Sequence, residues 1–194
     1  MYSLLLDSSN RNLSVAIGLD GRVFATKEYD AWQQQSELMI PAIEALLKEN
    51  NLTLQHLNNI VVAIGPGSYT GVRIAVTIAK IMAFLLNVPL YSVSSLAVLT
   101  SFERPTICLA NARSGRSYFA VYRANEKLVA DTIFTNEEVM AYIQEHRDYA
   151  VTGDLGYLNL TSATFNRFTN MLNNIKEENR VHDLLAVKPI YLKD

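Results

Sequence analysis

An apolar strand, a glycine-rich loop and a long helix follow one another without a break, and this passage limits the folds open to the chain. The predicted strand runs from Asn59 to Ile64, the loop from Gly65 to Gly71 contains three glycines, and the helical pattern continues to Leu86. A short apolar strand from Leu90 to Val93 follows. Two buried strands joined by a helix form a parallel crossover, so this segment predicts an α/β fold with helices packed on a sheet.

Three further strands are predicted ahead of this unit. They span residues 2–7, 13–19 and 22–29, and Asp20-Gly21 predicts a tight turn between the last two. The first strand is apolar on both faces, which is typical of a central strand, whereas the second alternates like a strand nearer an edge. Ser36 is a candidate cap for a helix from Glu37 to about Glu49.

The second half of the chain repeats this order of elements. Strands are predicted at 106–110, 117–122 and 127–134, then a helix at 136–145, a strand at 149–152 and a helical region from about 158 to 178. We therefore predict two βββαβα-type halves with mixed sheets flanked by helices, as in actin-like ATPases and the ribonuclease-H-like fold. The predicted domains are residues 1–103 and a smaller one at 104–194, whose tail at 180–194 could pack back on the first domain.

Charge and cysteine content exclude several classes of function. Lys and Arg number 17 against 19 Asp and Glu, a net charge of -2, so the chain has no overall positive field to hold a nucleic-acid backbone by itself. Arg113 with Arg116 is the best candidate for a local basic patch. Cys108 is the only cysteine, which excludes an intramolecular disulfide, and its apolar neighbours predict a buried thiol.

The apolar runs do not predict a membrane protein. The first run reaches Asp7 without a basic segment before it, unlike a signal peptide. Arg73 and Lys80 interrupt the run from Val72 to Leu86, which falls short of a membrane span. We therefore expect a cytoplasmic protein.

The segment from Gly65 to Arg73 is the most informative candidate site. Free amide groups at the start of a helix favour an anion, so phosphate binding is one hypothesis. The segment lacks the Gly-Lys-Ser/Thr of a Walker loop, and Thr70 stands where the dinucleotide fingerprint needs glycine. The alternative is a structural turn in which the glycines and the proline set the backbone angles and Ser68 or Thr70 caps the helix.

Asp7 and Ser8 end the first strand, where actin-like ATPases place a carboxylate and small hydroxyl groups around phosphates and Mg²⁺. An ATPase would need a second carboxylate in a second phosphate loop, and the uncharged Asn111 stands there. An ATP-dependent phosphotransferase that uses Asp7 and the 65–71 loop is therefore the alternative function, and no cofactor or metal site is predicted. The candidate phosphate site, structural or vestigial, comprises Asp7, Ser8, Gly65, Pro66, Gly67, Ser68, Thr70, Gly71 and Arg73.

The two helices of the first half carry more apolar surface than one sheet can cover. Small residues recur every four positions from Gly71 to Ala83, beside a second apolar stripe. This pattern predicts either core helices packed on the sheet and on each other, or contact with a partner subunit. The residues predicted at a partner interface are Leu38, Met39, Ala42, Ile43 and Leu46 in the first helix and Gly71, Ala75, Val76, Ala79, Met82 and Ala83 in the second.

Several motifs resemble those of the TsaB (YeaZ) family, in the same order. The loop Gly-Pro-Gly-Ser-aromatic-Thr-Gly is the specific element, and the resemblance is strong from residue 1 to about 123. The motifs are Asp7-Ser8-Ser9, Gln35-Ser36-Glu37-Leu38, the segment from Gly65 to Ile74, Val88-Pro89-Leu90, Val93-Ser94-Ser95-Leu96, Ala112-Arg113 with Gly115, and the closing Lys188 to Leu192.

The resemblance implies a non-catalytic subunit. Family members are needed to form the threonylcarbamoyl group on the adenosine beside the anticodon in tRNAs that read codons beginning with adenine. They are paralogues of TsaD, the catalytic subunit, whose metal-binding histidines have no counterpart around Gln35 to Met39. The resemblance also implies that the two helices of the first domain bind and activate TsaD.

Further partners follow from the same resemblance. TsaE, a P-loop ATPase, is expected to join the pair, the isolated chain could form a homodimer through the same helices, and any tRNA contact is expected only within the complex. Three positions depart from the family, since Gln35, Asn111 and Arg116 stand where it often has His, Asp and Glu. The absence of the Asp and the Glu further weakens the hypothesis of an ATPase.

Overall fold

The computed structural model describes residues 1–31 and 34–192, which form two mixed sheets. In the first sheet the strand order is β3-β2-β1-β4-β5, with β1 antiparallel to β2 and parallel to β4. In the second the order is β8-β7-β6-β9, and β6 takes the position of β1. The strands are β1 (Tyr2–Asp7), β2 (Asn12–Leu19), β3 (Arg22–Asp30), β4 (Leu57–Ala63), β5 (Leu90–Val93), β6 (Thr106–Arg113), β7 (Arg116–Arg123), β8 (Glu126–Thr135) and β9 (Ala150–Gly153).

The helices cover these sheets, and the predicted fold class is confirmed. They are α1 (Gln35–Glu49), α2 (Tyr69–Leu86), α3 (Asn136–Glu145) and α4 (Arg167–Asn173), with single 3₁₀ turns at Leu54–His56, Ala97–Leu99, Gly156–Leu158 and Glu177–Asn179.

Strand β1 is central because both of its faces are covered. Leu4 and Leu6 pack in one core with α1 and α2, while Leu5 packs in another core with α4. The predicted turn at Asp20-Gly21 is present, and both residues have positive φ, 49° and 77°. Such angles suit the two-residue turns that join twisted antiparallel strands.

Helix α1 begins earlier than predicted. Gln34 occupies the cap position without a side-chain hydrogen bond, so Ser36 lies inside the helix instead of capping it. Pro41 lies within the helix, as an interior proline that removes one backbone hydrogen bond. The apolar pattern on the inner face therefore holds α1 in place more than its cap does.

The helical region predicted at about 158 to 178 is wrong for most of its length. Asn159 has a φ of 54°, which ends the 3₁₀ turn before it, and the Ala163 amide donates to the carbonyl oxygen of Val151 over 2.8 Å. This stretch is therefore tied to β9, and α4 starts only where the Asn166 side chain accepts a hydrogen bond from the Thr169 amide.

A boundary near residue 103 separates the two sheets but not their cores. Helix α4 packs on the face of the first sheet opposite α1 and α2, where Leu172 lies against Gly18. The tail also returns to the first half. The Val181 amide donates to the Leu90 carbonyl oxygen over 2.8 Å, and the Ile190 amide donates to the Ile64 carbonyl oxygen over 2.7 Å. Residues 193 and 194 of the predicted tail lie outside the described residues.

Candidate interaction face and the cleft between the halves

The residues predicted at a partner interface form the core of the chain instead. All of them except the half-buried Leu38 are buried, and Ala75 and Ala79 are fully so. The small side chains let α2 approach the sheet closely, which is a packing function within one chain. These residues are therefore reassigned to the core of the chain, where Met39, Ala42, Ile43, Leu46, Gly71, Ala75, Val76, Ala79, Met82 and Ala83 are buried.

Large apolar side chains lie on another face of α2. Ile81, Phe84 and Leu85 are 53%, 74% and 73% exposed, and Ile74 and Ile78 are half-buried beside them. Residues 74, 78, 81 and 85 follow helical spacing and therefore share one side of the helix. We call Ile74, Ile78, Ile81, Phe84 and Leu85 the outer stripe.

The outer stripe could have been found from the sequence. Its large residues recur at helical spacing, but small residues on the neighbouring side of the helix are equally typical of close approach by another helix. On α1, Ile40 is also exposed, at 42%. Two neighbouring helices of the first half thus present apolar side chains to solvent, as the excess of apolar surface had indicated.

By length and composition, α2 is the one helix of the described residues that could cross a membrane. Length and composition are weak evidence for a membrane span, because the core helix of a soluble protein also meets both criteria. The inner side of α2 packs on β1 and β4, with Val72 and Ala75 buried there.

A cleft between the two halves is the second candidate site. It contains two adjoining cavities of about 360 and 770 Å³. Ser9, Asn10 and Arg11 line both cavities. The larger also reaches the start of α2, the turn between β6 and β7 with Arg113, and Gln35 at the start of α1.

The loop before α2 is tightly packed against the end of β1. A Cβ atom added to Gly67 would lie 2.1 Å from the Ser9 carbonyl oxygen. The Ser68 amide, which could otherwise face an anion, donates to that same oxygen over 2.6 Å. Ser68 is also the helix cap, since its Oγ accepts from the Gly71 amide over 3.3 Å. These contacts favour the structural turn over a phosphate loop.

The neighbours of the loop continue this packing. Gly65 has a φ of 99° and lies against the carbonyl oxygen of Ile190 in the tail. Pro66 lines the smaller cavity, and Thr70 the larger. Arg73 lies over the Tyr69 ring at 5.1 Å and donates to its hydroxyl, so this guanidinium points along the helix.

Asp7 is engaged within the chain. Its side chain is 2% exposed, Oδ1 accepts from the Ser9 amide over 2.9 Å, and Oδ2 lies 3.2 Å from Nε of Arg167 in α4. Asp7 lines neither cavity. Beside it, the buried Ser8 Oγ has no hydrogen-bond partner. This arrangement argues against a phosphotransferase in which Asp7 serves a nucleotide.

The second half offers no matching carboxylate at Asn111. The Asn111 Oδ1 accepts from the Arg113 amide over 2.7 Å, which closes the turn at the cleft mouth. Arg113 and Arg116 lie at the two ends of this turn, and both have interactions within the chain. Within residues 1–31 and 34–192, no group of three or more His, Cys, Asp or Glu side chains could hold a metal ion.

Cys108 is a buried thiol, as predicted. Burial is the main cause that raises its pKa to about 12, and hydrogen bonds with Thr152 and Thr100 oppose this shift. The thiol is therefore neutral at physiological pH and lacks the thiolate needed for nucleophilic chemistry.

Comparisons with known proteins agree with this architecture. A family model described as TsaD, tRNA N6-adenosine threonylcarbamoyltransferase, matches residues 29–176. The solved structure of YeaZ from Pseudomonas aeruginosa superimposes with a TM-score of 0.80 at 24% identity, covering 98% of this chain and 99% of that one.

Two curated relatives are named tRNA threonylcarbamoyladenosine biosynthesis protein TsaB. The TsaB protein of Bacillus subtilis is 36% identical over 139 residues, 69% of this chain and 60% of that protein. The TsaB protein of Escherichia coli is 28% identical over 150 residues, 74% of this chain and 63% of that protein. The chain thus spans less than two thirds of the length of these two relatives. The uncharacterized protein MG208 of Mycoplasma genitalium matches over the whole chain at 28% identity, with 95% of its own length covered.

The family model covers most of the chain, and the TsaB relatives that match it come from separate bacteria. The chain therefore belongs to the TsaB (YeaZ) family, within the wider family that the TsaD model describes.

Proposed function

We propose that this chain is a non-catalytic subunit in the synthesis of threonylcarbamoyladenosine in tRNA, and that it binds the catalytic subunit TsaD through the outer stripe of α2. The single observation that carries the proposal is the alignment of Ile81, Phe84 and Leu85, all more than half exposed, on one side of a helix. The names of the relatives indicate the reaction, and the outer stripe is the proposed contact surface.

The energetics favour an interface at this place. Fully burying one large apolar side chain contributes about 1.5–3 kcal/mol, and the most exposed members of the stripe are a phenylalanine and a leucine. Aromatic side chains are common anchors at the centres of interfaces. A stable interface needs roughly 1,000 Å² or more, so Ile40 and the adjoining surface of α1 would take part beside the stripe.

The partner is expected to have the same architecture. TsaD is a paralogue by the resemblance of the sequences, and two related domains can pair through equivalent helices. A second copy of this chain could use the same stripe when TsaD is absent, which would give a homodimer. TsaE would then bind the pair of TsaB and TsaD, and tRNA would meet the chain only within that complex.

The contacts around the cleft support a non-catalytic role. Asp7 is paired with Arg167, and Asn111 closes its own turn, so the two positions that would serve a nucleotide are engaged inside the chain. Activation of TsaD then requires the chain to bind the active arrangement of TsaD more tightly than other arrangements.

Reconstitution with purified components tests the proposal. Threonylcarbamoyladenosine formation is measured with TsaD, TsaE, tRNA and threonylcarbamoyl-adenylate, with this chain added or left out. We expect product only when the chain is added, and none from the chain alone. Equal product without the chain, or product from the chain alone, would overturn the proposal.

A variant connects the reaction to the stripe. Phe84→Glu places a charge on an already exposed position, so the chain should remain folded while product formation falls with loss of TsaD binding. The matched control is Phe24→Glu, at an exposed phenylalanine of β3. An equal loss of product formation in both variants would contradict a specific role for α2.

A further inference from the structure

Two exposed tyrosines are stacked where α2 begins. The centroids of the Tyr69 and Tyr191 rings lie 4.8 Å apart, with 30° between the ring planes. Tyr69 is 58% exposed and Tyr191 is 43% exposed, so much of each side chain meets solvent despite their contact. The tail reaches this place because the Ile190 amide is hydrogen-bonded to the Ile64 carbonyl oxygen. We call Tyr69 and Tyr191 the tyrosine platform.

A cation lies against this platform. The Arg73 guanidinium is 5.1 Å from the centroid of the Tyr69 ring, and its Nη1 donates to the Tyr69 hydroxyl over 3.0 Å. Arg73 is itself exposed, one turn further along α2. Unpaired bases stack on aromatic rings and on the planes of arginine guanidinium groups. The platform and Arg73 therefore present the two kinds of flat surface on which a base can stack.

The platform borders the cleft between the two halves. Tyr69 lines the larger cavity together with Arg113 of the turn between β6 and β7. Asp154 adds a carboxylate to the lining, and Arg11 lines it while its charge is paired with Asp30. A strand with one base on the platform could therefore continue along this cavity past Arg113.

The segments that meet here contain no acidic residues, although the whole chain has 19. Neither residues 50–102 nor residues 104–125 include an Asp or a Glu, so every residue of fixed charge in these two ranges is a Lys or an Arg. The first range supplies Tyr69 and Arg73, and the second supplies Arg113. Although the net charge of the chain is -2, these segments contribute positive charge, which is complementary to a phosphate backbone.

We propose that the tyrosine platform and the adjoining mouth of the cleft bind an unpaired segment of RNA, with a base stacked on the platform and phosphates beside Arg73 and Arg113. Aromatic side chains beside cations hold single-stranded nucleic acid without regard to sequence, because every base has an aromatic face. The RNA is the tRNA of the proposed function, on which this inference rests for the identity of its ligand. Since the net charge gives little long-range attraction, binding by the chain alone is weak, and the contact acts mainly within the complex.

Two substitutions at Tyr191 separate this role from mere anchoring of the tail. Tyr191→Leu keeps an apolar side chain that can pack on Tyr69 but removes the ring on which a base stacks. Tyr191→Phe keeps the ring and removes only the hydroxyl group. A structural role alone predicts that both chains behave alike, whereas base stacking predicts that only the leucine variant is impaired.

The KM for tRNA in the reconstituted reaction tests the contact within the complex. We expect Tyr191→Leu to raise this KM about five-fold or more with kcat and affinity for TsaD unchanged, and Tyr191→Phe to retain the low KM. The matched control is Phe24→Leu, at an exposed aromatic residue of β3, which should leave the KM unaltered. An unchanged KM in a folded Tyr191→Leu chain, or an equal rise in the phenylalanine variant, would overturn the proposal.

A second measurement needs no partner protein. Fluorescence anisotropy of labelled oligoadenylate RNA is followed at low ionic strength as the full chain is added. We expect saturable binding that Tyr191→Leu and Arg73→Ala both weaken, and weaker binding of the same RNA when it is paired with its complement. Equal binding of single strand and duplex would refute base stacking. Displacement of the RNA by an equal concentration of ATP would assign the platform to a mononucleotide instead.

The two measurements separate the failure of this inference from the failure of the proposed function. If TsaD forms product without this chain, but the chain binds oligoadenylate through Tyr191, only the proposed function fails. If product requires the chain, but Tyr191→Leu alters neither the KM for tRNA nor the anisotropy, only the RNA contact at the tyrosine platform fails.

Discussion

Gly71 of α2 lies directly against the carbonyl oxygen of Ser8 at the end of β1. A Cβ atom added to Gly71 would be 2.0 Å from that oxygen, closer than any real contact. The small residues of α2 therefore serve the approach of the helix to its own sheet. Large side chains on another side of α2 are left exposed to solvent.

Gly71→Ala should destabilise the fold. The methyl group meets backbone and cannot be accommodated by rotating a side chain, so we expect a loss of about 1–3 kcal/mol in the free energy of unfolding. Denaturation in urea measures this loss. Gly156→Ala is the control, because the nearest atom to its added Cβ, at 3.9 Å, is the side-chain Oδ1 of Asp154. Equal stability of the two variants would contradict the close packing of α2.

Ala79→Glu should prevent or strongly weaken folding, instead of selectively removing a partner. Ala79 is fully buried between α2 and the first sheet, so a carboxylate there would lack both water and a counter-charge. We expect the largest class of point-mutant effect, about 4 kcal/mol or more. Thermal unfolding followed by circular dichroism measures it. A melting temperature like that of the unaltered chain would place this side of α2 on the surface.

Cutting the chain after residue 103 should not yield an independent domain. Leu5, Ala16 and Val61 lie on the face of the first sheet opposite α1 and α2. They are covered by α4, which such a fragment lacks. We expect the fragment to bind the dye ANS and to melt without a sharp transition. A cooperative transition without dye binding would show that the first half folds alone.

The Cys108 thiol should make stability fall in alkaline solution. Its pKa is about 12 in the folded chain, against an ordinary value of 9.0. As the pH rises, the unfolded chain therefore loses the Cys108 thiol proton at a lower pH than the folded chain does. The contribution of Cys108 to stability is complete below pH 9 and is lost as pH rises towards 12. Urea denaturation at several pH values measures the slope, and Cys108→Ala should show a shallower one. Identical slopes would contradict a buried neutral thiol.

Much of the fold was readable from the sequence because local patterns and tertiary structure agree there. The strand apolar on both faces is β1 at the sheet centre, and Asp20-Gly21 forms the predicted turn. The passage from strand through glycine loop to helix is β4, the loop and α2.

The remaining features depend on contacts between distant segments. The length of α4 could not be predicted, because hydrogen bonding of Ala163 to Val151 holds the preceding stretch beside β9. The pairing of Asp7 with Arg167 joins residues far apart in the sequence, and no local motif marks it. The side of α2 that faces solvent could not be predicted, because small residues permit close packing equally well within a chain and between chains.

Affinity for TsaD, measured by isothermal titration calorimetry, tests the central claim most directly. Phe84→Ala removes the most exposed aromatic side chain of the outer stripe, and Phe24→Ala removes an exposed aromatic of β3. We predict that Phe84→Ala weakens binding by about ten-fold or more, while Phe24→Ala leaves it unchanged. Unchanged affinity of a folded Phe84→Ala chain would show that TsaD does not bind at the outer stripe.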